Sequence, residues 1–128
     1  MANQSLYVAT PLTWLAQISA ANANLDGTGT LVTVMTATTA LGSRIDRGFV
    51  QSIVTTSAGM VRLFMNNTTN MRLFYELPVG AQTPSSTFPA WADNFSFDGG
   101  LFVPNGWSIM AGTQIANTFN VFLSGGNF

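Results

Sequence analysis

The sequence contains no lysine, no histidine and no cysteine, and it is poor in charge of either sign. Only 7% of its 128 residues are charged, whereas a typical domain has roughly 25%. Histidine and cysteine are the commonest general bases, nucleophiles and metal ligands, so their absence removes most catalytic and metal-binding chemistry. The lack of cysteine also excludes a disulfide framework. We therefore expect neither an enzymatic activity nor a cofactor.

The few charges argue against nucleic acid and membranes as partners. The formal net charge is −1, and the four arginines form no basic stripe of the kind that tracks phosphates. No stretch approaches the roughly 18 consecutive apolar residues of a membrane span. The start MANQSLYVATP lacks the basic residues and the apolar core of a signal peptide. We predict a soluble protein that is made in the cytoplasm.

The low charge also affects how the protein surface stays soluble and whether other subunits cover it. Solubility must rest on Asn, Thr, Ser and Gln, whereas a free cytosolic monomer usually carries more charge. Two explanations fit this composition. Either neighbours in an assembly cover much of the surface, or the protein is exported.

Alternation of apolar and polar residues with a period of two predicts β-strands along most of the chain. Turn signals such as Asp26-Gly27 and Pro104-Asn105-Gly106 separate these strands. The predicted strands cover residues 14–19, 30–39, 43–56, the two arms within 60–79, 88–97, 101–103, 107–114 and 118–128. Short strands with turns every 8 to 12 residues or so indicate an all-β fold and an antiparallel β-sandwich. A jelly roll of about eight strands fits best in count and size.

The length indicates a single β-sandwich domain over residues 1–128. Residues 1–12 have two interpretations. They form either an N-terminal arm that reaches a neighbour or the beginning of the first strand.

The stretch MVRLFMNNTTNMRLFYELPV, residues 60–79, contains RLF twice and predicts a hairpin. Both arms must turn their apolar face to one core, so odd residues have to pair with odd residues. A register centred on Thr68 achieves this, since it places Met65 opposite Met71 and Leu63 opposite Leu73. The connection NNTTN is then a loop of about five residues.

The same register makes predictions for the outer face of the hairpin. It places Phe64 opposite Arg72 and Arg62 opposite Phe74, as two cross-strand pairs of arginine and aromatic ring. Glu76 becomes the diagonal neighbour of Arg62 and pairs with it. Two outward phenylalanines predict a face that another subunit covers.

The densest charge cluster is SRIDR, residues 43–47. On a regular strand Arg44 and Asp46 project to one side and Arg47 to the other, and Gly48 predicts a bulge or kink. The cluster is either a local ion-pair ladder or a subunit contact. The candidate subunit contacts of the whole chain are Arg44, Arg47, Arg62, Phe64, Arg72 and Phe74.

Two further constellations allow other functions. Asp93 and Asp98 are close enough in sequence to suggest glycoside chemistry, but Asp98 stands before two glycines, as a tight turn requires. Trp14, Trp91 and Trp107 raise the alternative of carbohydrate binding. Trp91 and Trp107 fall among alternating apolar residues, which predicts that they fill the core.

Several stretches resemble a group of small proteins encoded in tailed-bacteriophage genomes. The similar stretches are ANANLDGTGTLVTVMTA, SRIDR, TTSAGMVRLF, RLFYELPV, TPSSTFPAW, GGLFVPNGWSIMAGT and NTFNVFLSGGNF. The resemblance runs from about Gln17 to Phe128, and its motifs are strand and turn patterns. Similar chains carry His-Asp-Gly in the hairpin loop, where this chain has Asn66-Asn67-Thr68. No catalytic residue is therefore carried over.

The resemblance implies a non-enzymatic virion structural protein of jelly-roll type. By analogy of size and fold, it implies a capsid decoration or cement protein on the capsid surface, synthesised in the host cytoplasm. Such a protein stabilises the phage head by bridging subunits of the major capsid protein. We expect a homo-oligomer, with a trimer as the unit, because trimers match local threefold positions of a shell. The alternatives are a phage tail or fibre component and a carbohydrate-binding β-sandwich module.

Overall fold

The structure, a computed structural model, describes residues 8–128 and builds them from eight β-strands without a helix. The strands are β1 (Thr10–Ile18), β2 (Val32–Thr36), β3 (Ser43–Ser52), β4 (Gly59–Asn66), β5 (Met71–Val79), β6 (Ala92–Val103), β7 (Ser108–Thr113) and β8 (Phe119–Asn127).

The eight strands form two antiparallel sheets of four. One sheet has the order β1-β8-β3-β6 and is called the β1 sheet; the other has the order β2-β7-β4-β5 and is called the β2 sheet. One apolar cluster lies between them and takes residues from both. The predicted all-β class and antiparallel β-sandwich are confirmed.

Most strands pair with a strand that is distant in the sequence. β1 pairs with β8, β3 with β6 and β4 with β5, while β2 pairs with β7. The additional contacts β3–β8 and β4–β7 join these pairs into sheets. Consecutive strands β1 and β2 therefore lie in opposite sheets, and the chain crosses between the sheets at the ends of the sandwich.

Aromatic rings link the two sheets through the core. Tyr75 of β5 lies against Phe95 of β6, with ring centroids 4.9 Å apart. Trp91 packs edge-on against Phe119 of β8 at 5.7 Å. The predicted core position of Trp91 is confirmed, and Trp14 and Trp107 also pack against the core cluster. Trp91 is buried, whereas Trp14 and Trp107 are half-buried.

Some strand bounds differ from those predicted. The predicted segments 88–97 and 101–103 are joined in one strand, β6, which begins at Ala92 and continues through Asp98-Gly99-Gly100. Both glycines have positive φ, +74° and +83°, and the register with β3 shifts there. The tight turn predicted at these residues is therefore an irregularity inside a strand.

Residues 10–12 belong to β1 and pair with Gly125, Gly126 and Asn127. The backbone N–H of Ala9 donates a further hydrogen bond to the carbonyl of Asn127. This part of the region 1–12 is thus the start of the first strand. The rest of the predicted arm, residues 1–7, lies outside the described residues.

Two glycines allow the middle strands of the β1 sheet to pack closely. A Cβ added to Gly125 would collide with the carbonyl oxygen of Arg44 and lie 2.8 Å from its carbon. A Cβ on Gly48 would lie 2.5 Å from the ring of Phe95. The register with β8 shifts between Ile45 and Arg47, so the bulge predicted at Gly48 lies at Asp46 instead.

We predict that Gly125→Ala destabilises the fold by at least about 2 kcal/mol, because backbone atoms of Arg44 block the new methyl group. Gly80→Ala is the matched control, since no atom lies within 4 Å of the position that its methyl group would take. Urea unfolding of both variants measures the difference. Equal stabilities would show that β3 and β8 have room to separate.

Candidate functional site

The described residues offer little for catalysis or metal binding. Residues 8–128 contain no group of three or more Asp, Glu, His or Cys that could hold a metal ion. Asp93 is exposed at the start of β6, and its carboxylate accepts a hydrogen bond from the backbone of Asn94 at 2.8 Å.

The bulge at Asp46 changes the prediction for the SRIDR cluster. Arg44 Nε and Asp46 Oδ1 form a salt bridge of 2.7 Å, so the predicted pairing is confirmed. Ile45, next to Arg44, is fully buried in the core. Arg44 therefore lies on the outer face, and the extra residue in the bulge brings Arg47 to that same face, opposite Ser96. The prediction that Arg47 projects to the other side is wrong for this reason.

The hairpin of β4 and β5 has a different register from the one predicted. Leu63 lies opposite Tyr75, whereas the next residue, Phe64, lies opposite Leu73. Phe74 is the extra residue of a bulge between them. The loop spans residues 67–70, and Thr68 takes the left-handed conformation there with φ of +76°.

The bulge turns Phe74 inward, whereas Phe64 stays on the outer face and is buried there by another part of the chain. Phe64 is only 1% exposed and faces Leu73 instead of Arg72. Phe74 does not face Arg62 either; its ring lies 6.1 Å from that of Phe97 and packs against the core. Neither phenylalanine is available as a subunit contact.

The arginines of the hairpin have unequal surroundings. Arg62 lies directly opposite Glu76, and their side chains form a salt bridge of 2.8 Å, which confirms the predicted pair. The Arg62 side chain is 10% exposed, against 43% for Glu76. Arg72 is exposed and donates a hydrogen bond to the carbonyl of Met71 at 3.1 Å. Arg62 is thus a buried structural group, and Arg72 is accessible.

Residues 21–31, called the cover segment, lie against the outer face of the β2 sheet. The backbone N–H of Asn22 donates to the carbonyl of Thr113, at one end of β7. Leu31 lies over Gly112, where a Cβ would come within 2.7 Å of it. Gly27 reaches Met71, at the opposite end of the sheet on β5. The face that bears Arg62 and Phe64 is therefore covered by the chain itself.

Polar side chains hold the cover segment in shape. The Asn22 amide donates to the carbonyls of Thr28 and Thr30, both at 3.0 Å. One oxygen of Asp26 accepts hydrogen bonds from the hydroxyl and the backbone N–H of Thr28 at 2.6 and 3.1 Å. These bonds lower the pKa of Asp26 below its ordinary value of 3.8.

The outer face of the β1 sheet carries an exposed row of apolar side chains. Leu15, Phe122 and Phe49 lie side by side across three neighbouring strands and are called the apolar row. Leu15 is 67% exposed and Phe49 43% exposed. The rings of Phe49 and Phe122 stack with centroids 4.8 Å apart. None of these residues is among the subunit contacts predicted from the sequence.

A recess of about 910 Å³ opens beside this row, over β3 and β6. Arg47, Phe49 and Gln51 line it from β3, and Asp93 and Asn94 from β6. It combines an aromatic ring, amides and one charge of each sign. Such a lining is suited to a polar partner or to a protein surface.

Two smaller apolar patches lie at the two ends of β3. The Leu41 patch consists of Leu41, Phe102 and Phe128; the two rings are 6.0 Å apart, and the Phe128 N–H donates to the carbonyl of Gly42, next to Leu41. The Ile53 patch consists of Ile53 and Val54, directly after β3. Leu41, Phe102 and Ile53 are all more than half exposed.

Comparison with protein families finds no family model that matches the chain, and comparison with curated proteins finds no match. No helix within residues 8–128 is long and apolar enough to cross a membrane. The candidate functional features are accordingly the apolar row with its recess and the two patches.

We predict that Glu76→Gln lowers the free energy of unfolding by roughly 1–2 kcal/mol, between the values for exposed and buried ion pairs, because Arg62 is left buried without its counter-charge. Asp46→Asn removes the carboxylate of the more exposed pair and should cost less than about 1 kcal/mol. Urea titrations at neutral pH compare the two variants. If both variants lost the same free energy of unfolding, the burial of Arg62 would not strengthen its ion pair.

We also predict that the carboxyl of Asp26 titrates below its ordinary pKa of 3.8, and that Thr28→Val returns its pKa towards that value. A lowered folded-state pKa contributes stability that is present above the unfolded-state pKa and is lost as the pH falls through the folded-state pKa. The wild type should therefore lose more stability than the variant on acidification in this range. Carboxyl NMR shifts followed against pH measure the pKa, and an unchanged value in the variant would contradict the assignment.

Proposed function

We propose that the protein is a non-enzymatic structural protein of a bacteriophage virion. In this proposal it is a decoration or cement protein on the capsid surface that stabilises the head by bridging subunits of the major capsid protein. The protein is made in the host cytoplasm and joins the particle there.

The observation that carries the proposal is the pair of apolar patches at opposite ends of one strand. The Leu41 patch precedes β3 and the Ile53 patch follows it, and the ten residues of β3 extend about 33 Å. A protein that bridges two neighbours needs two separate contact surfaces held at a fixed distance. A strand in the middle of a sheet supplies such a rigid spacer.

The strand order supports the expected fold type. In a jelly roll, a ribbon of four antiparallel strand pairs wraps into two sheets of four, and the orders β1-β8-β3-β6 and β2-β7-β4-β5 are those such wrapping produces. We infer a jelly roll on this basis. The inference agrees with the resemblance to small phage proteins, although the fold type by itself assigns no function.

The energetics of a cement protein suit small apolar patches. Burial of apolar surface contributes roughly 25 cal/mol per Å². Each patch contains only two or three apolar side chains, so a single contact is weak. A shell repeats the contact many times, and the particle gains the sum of the contacts.

A second candidate function is a glycan-binding component of a phage tail or fibre. The recess favours it, because the exposed ring of Phe49 lies among the amides of Gln51 and Asn94. Aromatic rings with nearby amides are a chemistry that binds sugars. Such a component is needed in only a few copies per particle.

Quantitative mass spectrometry of purified virions of the phage that encodes the chain tests the proposal. We expect hundreds of copies in fixed ratio to the major capsid protein, because a cement protein occupies repeated positions of the shell. Particles without the protein should lose integrity at lower temperature and at low salt. A handful of copies per particle would contradict the cement function and favour the tail or fibre.

Variants of the patches test the bridging mechanism. Leu41→Asp or Ile53→Asp should lower the copy number on the particle, because a charge at the patch opposes burial. Leu25→Asp is the matched control, since Leu25 is similarly exposed but lies in the cover segment. A loss of copies with Leu25→Asp alone would place the contact on the other side of the sandwich.

A further inference from the structure

We propose that the recess over β3 and β6 binds an acidic sugar, whose carboxylate pairs with Arg47 and whose ring lies on Phe49. The inference goes beyond the cement function and does not depend on it, because it concerns a small ligand and can be tested in the isolated chain. It also specifies the ligand of the glycan-binding alternative. It rests on three features of the recess: a cation without a counter-charge in residues 8–128, a row of hydroxyl side chains and an exposed aromatic ring.

Arg47 is the cation that lines the recess. It is exposed and forms no salt bridge within residues 8–128, whereas Arg44 and Arg62 each pair with a carboxylate. A guanidinium presents its N–H donors in one plane and binds a carboxylate through two parallel hydrogen bonds. The charge of the recess therefore favours a ligand that carries a carboxylate.

Three hydroxyl side chains lie in one row with Arg47 across the strands of the β1 sheet. Thr13 of β1 lies opposite Ser124 of β8. Arg47 lies between Ser124 and Ser96 of β6. All three hydroxyl residues line the recess, and none of their hydroxyls has a hydrogen-bond partner among residues 8–128. Since a hydroxyl both donates and accepts, the row offers hydrogen bonds of both kinds to the hydroxyls of a sugar.

Phe49 supplies an apolar surface beside Arg47. Its ring stacks on that of Phe122, with the two ring planes 22° apart, and this contact fixes its orientation. Arg47 and Phe49 are successive outward residues of β3, which places them about 6.6 Å apart along the strand. A sugar ring that lies on Phe49 therefore brings a carboxylate at its edge to Arg47. Asn94, opposite Phe49, adds a side-chain amide that can bond to the sugar hydroxyls.

The carboxylate of Asp93 does not occupy this position. Asp93 pairs with Val50 and alternates with Phe95, so its carboxylate lies on the inner side of the edge strand β6. Val50 is three residues from Arg47, which corresponds to about 10 Å along the strand. This is about one Debye length at roughly 0.1 M salt, so Asp93 repels a carboxylate bound at Arg47 only weakly.

An acidic sugar fits the recess better than the other polar ligands do. The volume of about 910 Å³ lies within the range of small-molecule sites, roughly 300–1,000 Å³. Nucleic acid is disfavoured because one arginine cannot follow a chain of phosphates. A neutral sugar would leave Arg47 without a counter-charge. An acidic sugar uses the cation, the hydroxyl row and the ring of Phe49 together.

NMR titration of the isotope-labelled full chain with matched pairs of sugars tests the proposal. The pairs are methyl glucuronide with methyl glucoside, and methyl galacturonide with methyl galactoside. The members of each pair differ only in a carboxylate or a hydroxymethyl group at the same carbon. We expect at least one uronide to bind about five-fold or more tightly than its neutral partner, because hydrogen bonds to charged groups are the stronger ones. The amide signals that shift should be those of residues 47–51 and their neighbours on β6.

Arg47→Gln should lower the affinity for the uronide to that of its neutral partner, while Phe49→Ala should weaken both members of a pair. Arg72→Gln is the matched control, because it removes the charge of an exposed arginine on the other sheet. It should leave the preference for the uronide unchanged. The amide spectrum shows in the same experiment whether each variant is folded.

Three results would overturn the proposal: no binding of either uronide, equal binding within both pairs, or a preference that survives Arg47→Gln. Capped glutamate, N-acetylglutamate methylamide, supplies a carboxylate without a sugar ring. If it bound as tightly as the uronides, an acidic side chain of a protein would be the ligand, and the assignment to a sugar would be wrong. A low copy number in virions would overturn the cement function and leave these results unaffected.

Discussion

Each strand of a two-layer sandwich can bury only one of its faces between the two sheets. The outer face of each sheet is then either covered by another part of the chain or exposed, and the positions of the charged and apolar surface residues depend on this difference. On the β2 sheet the chain covers its own outer face. The cover segment connects β1 to β2, which lie in different sheets, and its contacts with Met71 and Gly112 place it across this face. On the β1 sheet no connection within residues 8–128 covers the outer face, and the apolar row lies there with Leu15 and Phe49 exposed.

The difference between the covered and the open outer face explains why the arginines have different surroundings. Arg62 lies on the covered face, where Glu76 supplies its counter-charge, and the pair belongs to the architecture. Arg47 lies on the open face among small polar side chains and forms no salt bridge within residues 8–128. In a chain that is 7% charged, each charged group has a large share in solubility and in the choice of partner. The same residue type therefore has a structural role on one sheet and an accessible position on the other.

The sequence was sufficient to predict the class of fold, because alternation with a period of two reports which face of a strand is buried. It predicted the core position of Trp91 and the pair of Arg62 and Glu76 for the same reason. It failed where an extra residue reverses the alternation: the bulge at Phe74 turned that ring inward, and the bulge at Asp46 brought Arg47 outward. The sequence did contain a pattern that indicates the exposed apolar residues of the open face. In NTFNVFLSGG, Phe122 falls out of phase with the buried Phe119, Val121 and Leu123, and Leu15 is out of phase in the same way in β1.

The edges of the two sheets are poorly suited to pairing with a strand of another chain. An unprotected edge strand offers free backbone groups to another chain, and proline or a bulge removes that opportunity. Pro11 lies in β1 and Pro78 in β5, each at an edge of its sheet. The other two edges, β2 and β6, contain register shifts, in β6 around Gly99 and Gly100. Since all four edges are interrupted, growth by strand addition is disfavoured. The surfaces left for a partner are those whose side chains, not their backbones, make the contact: the apolar row and the two patches at the ends of β3.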